Sequence, residues 1–195
     1  MHPEILSISL FWFVTAYTPG PNNVVASYSG FNFGIKKTIP HILGVTLGFT
    51  SLVLFLSIGL INVFKLFPII QIVIRYLGTL FLIYLAYKIS FSKGKSDGET
   101  ENPVKFYETF LFQFVNPKGV MAAITLISKF VIYDDYVNSS IVVIVVCSIT
   151  AFVSITLWAG LGKFLRKFAT NNEFIKRFNY AMSILLVGCV ASFYI

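Results

Sequence analysis

Long apolar blocks, separated by short polar stretches, dominate the pattern along this chain. A helix needs about 20 mostly apolar residues to cross the hydrocarbon layer of a bilayer, and six segments have about that length. These segments are Glu4–Ser27, Thr38–Phe64, Phe67–Tyr87, Phe106–Ile132, Val137–Leu161 and Phe174–Ile195. The pattern therefore predicts an all-α integral membrane protein with six transmembrane helices.

Two of these six segments are interrupted by proline. The first has no charged residue from Ile5 to Ile35, but it contains the run Thr18, Pro19, Gly20, Pro21, Asn22 and Asn23. The fourth contains Asn116, Pro117 and Lys118, with Gln113 one turn earlier. Proline removes a backbone donor and weakens a helix. A broken helix at membrane depth is tolerated only inside protein or beside a wet cavity. These ten residues are the candidate substrate-binding set.

The basic residues predict the orientation of the chain. Eleven of the 15 Lys and Arg follow the first, third or fifth segment. They are Lys36, Lys37, Lys88, Lys93, Lys95, Lys105, Lys163, Arg166, Lys167, Lys176 and Arg177. Because cytoplasmic loops are enriched in Lys and Arg, loops one, three and five are predicted to be cytoplasmic and both termini to lie outside.

A polar stretch at about residues 92–104 divides the chain into two halves. Residues 1–91 and 105–195 each carry three predicted helices, so the second half enters the membrane inverted relative to the first. The breaks in helices 1 and 4 then fall at corresponding positions. Paired interruptions of this kind indicate a transporter's binding site near the bilayer midplane. The prediction is one transporter domain, residues 1–195, built from two inverted three-helix repeats.

Composition narrows the functional classes. The chain is 56% hydrophobic and 12% charged, whereas soluble domains carry about 25% charged residues. The net charge of +7 is explained by cytoplasmic loops rather than by nucleic-acid binding. Cys147 and Cys189 lie in apolar runs and are predicted to be packing residues. The sequence shows no catalytic set and no phosphate-binding loop, which predicts no enzyme, no cofactor and no metal site.

Two further features have more than one interpretation. Gly44 and Gly48 have the small-xxx-small spacing of helix packing, which Gly30 and Gly34 repeat. Their partner is left open between the first helix, the other half and a second protomer in a homo-oligomer. Arg75, about eight residues into the third segment, either reaches the membrane surface with its long side chain or has a functional role.

Four motifs, taken in order, resemble those of the LysE/RhtB superfamily of amino-acid exporters. They are residues 18–23, 43–48, 74–86 and 113–118. The resemblance covers the whole chain, and the combination of Pro-Gly-Pro with Asn-Pro-Lys is specific. The run at residues 110–116 and the tail at 185–189 are closest to the cysteine/O-acetylserine exporter branch.

The resemblance implies an inner-membrane exporter of amino acids or their derivatives, driven by the proton gradient. Many members of the superfamily carry an acidic residue directly after the second glycine of helix 2, where this chain has Phe49. Its absence fits a neutral zwitterionic substrate, such as cysteine, O-acetylserine, homoserine or threonine. It also leaves the residue that couples proton movement unidentified.

Our main hypothesis is export by alternating access between the two halves. The amides beside Pro19–Asn23 and the ammonium of Lys118 would bind the substrate carboxylate. Free carbonyls near Thr18 and Val115 would accept from its ammonium, and the polar shell would be completed by Asn22, Asn23, Gln113 and Asn116. Two alternatives are a passive channel lined by the broken helices, and an assembly subunit in which both breaks are packing kinks.

Overall fold

Helices make up the fold of this computed structural model, which describes residues 5–60, 62, 66–91, 103–191 and 193–194. In chain order they are α1 (Ile5–Tyr17), α2 (Pro21–Phe55), α3 (Ile69–Ser90), α4 (Phe106–Val115), α5 (Pro117–Phe130), α6 (Tyr136–Leu165) and α7 (Asn172–Ala191). A π-helical turn, Leu56–Leu60, continues α2, and 3-10 turns follow α5 and α6. No strand occurs in the described part of the chain.

Helix α2 is a hairpin rather than a single straight helix. Gly34 interrupts it with φ 76° and ψ 170°, a left-handed conformation that glycine adopts without steric cost. The Nε2 atom of His41 lies 3.1 Å from the backbone oxygen of Asn22, although 19 residues of continuous helix would separate them by about 28 Å. The chain therefore reverses at Gly34 between a first arm (residues 21–33) and a second arm (residues 35–55).

The apolar helices support a multi-pass membrane protein. Four helical stretches are long and apolar enough to cross a membrane: Pro21–Leu60, Ile69–Ser90, Tyr133–Phe168 and Asn172–Ala191. The bent pair α4 and α5 makes a fifth candidate if it is counted as one span. These counts rest on length and composition alone, and they confirm the predicted class of an all-α, multi-pass membrane protein.

The helix boundaries differ from the prediction around the first loop. The first predicted segment ended at Ser27, but its helix continues to residue 33, and the next arm begins at residue 35. Gly34 alone reverses the chain, so the two arms need no additional loop between them. The basic pair Lys36 and Lys37 therefore lies at the start of the second arm rather than in a loop. Most of the predicted linker at residues 92–104 lies outside the described residues.

Backbone contact at glycines joins the first arm to α6. A Cβ atom placed on Gly162 would lie 1.9 Å from the backbone oxygen of Ser27, and one on Gly30 would lie 2.0 Å from that of Ala159. Such distances are possible only because these residues lack a side chain. Gly30 thus packs closely against another helix, while Gly34, at the same spacing, forms the turn.

Gly44 and Gly48 face α4, which belongs to the other half of the chain. A Cβ atom on Gly44 would lie 2.0 Å from Oγ1 of Thr109, and one on Gly48 would lie 2.6 Å from the backbone oxygen of Phe110. Among the partners left open by the sequence, the described chain therefore places α4 against this pair. The second arm and α4 are held at backbone distance in the same way as the first arm and α6.

Candidate functional site

Lys118 connects the two helix breaks. Its Nζ atom donates to Oγ1 of Thr18 at 2.9 Å, to the Thr18 carbonyl at 3.3 Å and to the Pro19 carbonyl at 3.4 Å. Helix α1 ends at Tyr17 and α2 begins at Pro21, so these carbonyls lie at a helix end where intrahelical partners are missing. A cation from the second break is thus bound by oxygen atoms of the first.

Both breaks end one helix and begin the next at a proline. Pro21 is the first residue of α2, and Pro117 is the first residue of α5, which is bent by 62° from α4. Proline suits this position because its missing N–H would be unpaired there anyway. Neither preceding residue, Gly20 or Asn116, caps its helix with a side chain. The first amides of both helices therefore provide positive partial charge that favours an anion.

A pair of amides links the two halves next to Lys118. Asn22 Nδ2 donates to Gln113 Oε1 at 2.8 Å, and Gln113 Nε2 donates to Asn22 Oδ1 at 3.2 Å. Gln113 is 1% exposed and also donates to the Thr109 carbonyl at 2.7 Å. This reciprocal pair joins the start of α2 to the end of α4.

The side chain of Asn23 is hydrogen-bonded to the backbone at the first break. Its Nδ2 atom donates to the Ala16 carbonyl at 2.8 Å and to the Thr18 carbonyl at 2.9 Å. Ser154 Oγ donates to the same Ala16 carbonyl at 2.8 Å. The side chain predicted to belong to the substrate shell therefore satisfies the end of α1, and this satisfaction keeps the break stable at membrane depth.

Asn116 offers an unused acceptor. It is 3% exposed, and within the described chain its Oδ1 atom has no hydrogen-bond partner. A buried polar atom without a partner costs about 1–3 kcal/mol. A donor supplied by a ligand or by water would recover this energy.

A small cavity of about 60 Å³ lies between the breaks. This volume holds a few water molecules. Its polar lining comes from Thr15, Asn22, Asn23, Gln113, Asn116, Lys118 and Ser154. Its apolar wall includes Trp12 and Phe49, whose rings stack at 4.5 Å. Gly20 and Pro21 also line it, whereas Thr18, Pro19 and Pro117 do not.

A second, larger cavity of about 560 Å³ adjoins Lys118. Its walls are formed by Pro19, Gln71, Ile74, Arg75, Pro117, Lys118, Val120, Met121 and Phe193. Lys118 therefore borders both cavities. The two prolines that do not reach the first cavity line the second.

His41 and Trp12 were not among the predicted site residues. His41 is 1% exposed and contacts the backbone of Asn22, and its Nδ1 atom has no partner in the described part of the chain. An ionisable residue inside a predicted membrane helix is a signal that could have identified it. Trp12 Nε1 donates to the Cys147 carbonyl at 3.1 Å, and no sequence motif marks this contact.

Comparison with known proteins identifies the family of this chain. A family model described as LysE type translocator matches residues 13–195. The chain belongs to the LysE family. It is also similar to proteins named cysteine/O-acetylserine efflux protein from Escherichia coli (strain K12) and Shigella sonnei (strain Ss046). Each is 29% identical over 193 residues, covering 97% of both chains. No solved structure matches.

Membership confirms the resemblance seen in the sequence motifs. A LysE-type translocator is a transporter and not an enzyme, as the sequence predicted. The family and the apolar helices together support a multi-pass protein of the inner membrane that acts in amino-acid export.

Proposed function

We propose that this LysE-family protein is a secondary transporter that exports a small neutral amino acid or derivative from the cytoplasm by alternating access. Cysteine and O-acetylserine are the first candidates, because the named relatives are efflux proteins for them. The observation that carries the proposal is the position of Lys118. Its ammonium joins the two breaks and lies beside the small cavity.

The proposal includes six spans in two inverted repeats, residues 1–91 and 105–195. Span one combines α1 with the first arm, span two is the second arm, and α4 with α5 forms span four. Reciprocal packing supports this symmetry. In one direction Trp12 of α1 donates to the backbone of α6, the fifth span. In the other direction α4, which belongs to span four, packs on Gly44 and Gly48 of the second span. The charge distribution supports cytoplasmic loops one, three and five, with both termini outside.

The site offers complementary groups for a zwitterion. Lys118 and the first amides of α2 and α5 suit the carboxylate. The unused Oδ1 atom of Asn116 and the Thr18 carbonyl suit the ammonium. The stacked rings of Trp12 and Phe49 suit a short, uncharged side chain, since no described carboxylate lines the cavity.

Binding requires the site to expand. A volume of about 60 Å³ is far below the range of about 300–1,000 Å³ typical of small-molecule sites. In this conformation the Lys118 ammonium donates to Thr18 and Pro19. We propose that the substrate carboxylate replaces these oxygen atoms and that the Asn22–Gln113 pair separates and re-forms as the halves move.

The proton gradient is the proposed driving force, as the family resemblance implies. His41 is the proposed carrier, since it is buried against the backbone of Asn22 at 3.1 Å and its Nδ1 atom has no described partner. An imidazole that is open to water changes its charge close to physiological pH, so His41 would take up its proton when the moving halves expose it. Its contact with Asn22 would connect that change to the amide pair at the centre of the site.

Uphill efflux from proteoliposomes tests this function. With an imposed proton gradient, the wild-type protein should concentrate labelled cysteine or O-acetylserine, which a passive channel cannot do. Lys118→Met should lower the rate by roughly 10- to 100-fold, the effect of losing a charge-assisted hydrogen bond of about 1.5–3 kcal/mol. The matched control is Lys129→Met, since Lys129 lies in the last turn of α5 over the ring of Phe130 and lines neither cavity.

Three results would contradict the proposal in different ways. Undiminished efflux of cysteine, O-acetylserine, homoserine, threonine and leucine by Lys118→Met would exclude the assigned site. Downhill flux without accumulation would favour a channel. A folded wild-type protein that neither binds nor moves any of the five would favour an assembly subunit.

A further inference from the structure

Arg75 places a second cation at the large cavity. It lies in α3, within the apolar stretch Ile69–Ser90, where a charge is disfavoured by the surrounding hydrocarbon. The cavity that it lines has about 560 Å³, within the range of about 300–1,000 Å³ typical of small-molecule sites. A charged residue in a membrane helix normally faces such a cavity because water or a ligand can then solvate it.

Neighbouring residues hold the Arg75 guanidinium in place. It lies over the ring of Tyr194, with its central carbon 5.6 Å from the ring centre. The Tyr194 hydroxyl is hydrogen-bonded to Oγ1 of Thr79 at 3.0 Å, so the stacking ring is itself fixed to α3. Gln71, four residues before Arg75, lies on the same face of the helix and lines the same cavity.

The two cavities adjoin each other at Lys118. It contributes to the walls of both, while Asn22 and Gln113 border the small cavity and Arg75 and Gln71 border the large one. The remaining walls of the large cavity are mainly apolar, formed by Ile74, Val120, Met121 and Phe193. A carboxylate that leaves Lys118 towards the large cavity therefore next meets a guanidinium.

We propose that Arg75 forms a second carboxylate-binding subsite, occupied by the amino-acid substrate after it leaves the central site at Lys118. This inference rests on the proposed function. A guanidinium binds a carboxylate through two parallel hydrogen bonds, while Gln71 provides a neutral donor and acceptor next to it. The apolar wall accommodates a small uncharged side chain, so the subsite takes the same zwitterionic class as the central site.

Occupancy of this subsite is measurable separately from transport. Met121 lines the large cavity and not the small one, so Met121→Cys, with Cys147→Ala and Cys189→Ala, places the single thiol there. O-acetylserine should slow labelling of this thiol by a soluble thiol reagent. In Arg75→Gln that protection should require at least about tenfold more O-acetylserine, the change given by about 1.4 kcal/mol.

Central-site occupancy has its own reporter. The chain has two tryptophans, and Trp12 lines the small cavity, so Trp158→Phe leaves fluorescence from Trp12 alone. Arg75→Gln should keep the Trp12 response to O-acetylserine and lose protection at position 121. Its export rate should also fall at least about tenfold. Arg75→Lys, which keeps the charge but lacks the two-pronged donor, should lie between Arg75→Gln and wild type in both assays.

The outcomes separate this inference from the proposed function. Full protection at position 121 in both Arg75→Gln and Arg75→Lys would overturn the subsite and leave Arg75 as a residue that reaches the membrane surface. Loss of the Trp12 response along with protection would also overturn it, since Arg75 would then act on the central site. If the wild-type protein neither exports O-acetylserine nor shows a Trp12 response, the proposed function fails first. The Lys129→Gln control should match wild type in every assay.

Discussion

The backbone contact between Gly162 and Ser27 makes a sharp prediction about stability. In Gly162→Ala the new methyl group would lie 1.9 Å from the Ser27 carbonyl oxygen. An ordinary contact begins at 3.4 Å, so α6 and the first arm of α2 would have to separate by about 1.5 Å. The obstructing atom belongs to the backbone and cannot rotate away. Gly160→Ala is the matched control, because its methyl group would meet nothing within 4 Å.

The loss of stability in Gly162→Ala has two sources, overpacking and the weakening of one hydrogen bond. Forcing a methyl group into a packed contact costs about 1–3 kcal/mol. Separation of the helices would also weaken the bond from Ser27 Oγ to the Trp158 carbonyl, now 3.0 Å long and worth about 1 kcal/mol. Alanine returns up to about 1 kcal/mol in helix propensity. The net loss for Gly162→Ala is about 1–3 kcal/mol, whereas Gly160→Ala should be neutral or slightly stabilising.

Thermal unfolding of the purified protein in detergent checks this difference. At about 2–4 °C per kcal/mol for a chain of this size, Gly162→Ala should lower Tm by about 2–12 °C relative to wild type, and Gly160→Ala should not lower it. Equal Tm values for the two variants would refute the close crossing of α6 and the first arm. A loss of Tm in Gly160→Ala alone would refute it as well.

Three substitutions at the site give further tests. Asn23→Ala should destabilise the protein by about 1–3 kcal/mol, because the Thr18 carbonyl loses a donor; an unchanged Tm would contradict its role at the break. Phe49→Leu should raise export of leucine relative to cysteine, because the smaller residue widens the wall beside Trp12; a constant ratio would show that this wall does not select substrates. His41→Gln should keep the Trp12 fluorescence response but abolish proton movement driven by substrate, as followed with a pH dye inside the vesicles. Persistent proton movement would exclude His41 as the carrier.

The sequence predicted which segments meet at the site, because proline interrupts both the first and the fourth apolar segment. Lys118 was expected to act with the first break, and the structure brings it to Thr18 and Pro19. The role of Asn23 could not be predicted. Its amide direction depends on how far the chain turns between α1 and α2, and neighbouring Asn22 has the same chemistry but points to Gln113.

Glycine spacing alone did not distinguish packing from turning. Gly30 and Gly34 form the same motif, yet Gly30 contacts the backbone of Ala159 while Gly34 takes a left-handed φ of 76°. The difference arises from the tertiary structure, since the chain must reverse after the first arm to place His41 against Asn22. Likewise, the sequence marked Gly44 and Gly48 as a packing pair, but it did not identify α4 as their partner.

The oxygen atoms around Lys118 bear on the direction of the transport cycle. Its ammonium has three acceptors from Thr18 and Pro19, so the charge is solvated by the protein's own first break. Under the proposed alternating access, a carrier whose cation is satisfied by its own chain can return across the membrane without carrying a second substrate back. We therefore expect net efflux rather than obligatory exchange. Loss of label from loaded vesicles should proceed at the same rate whether or not unlabelled amino acid is present outside.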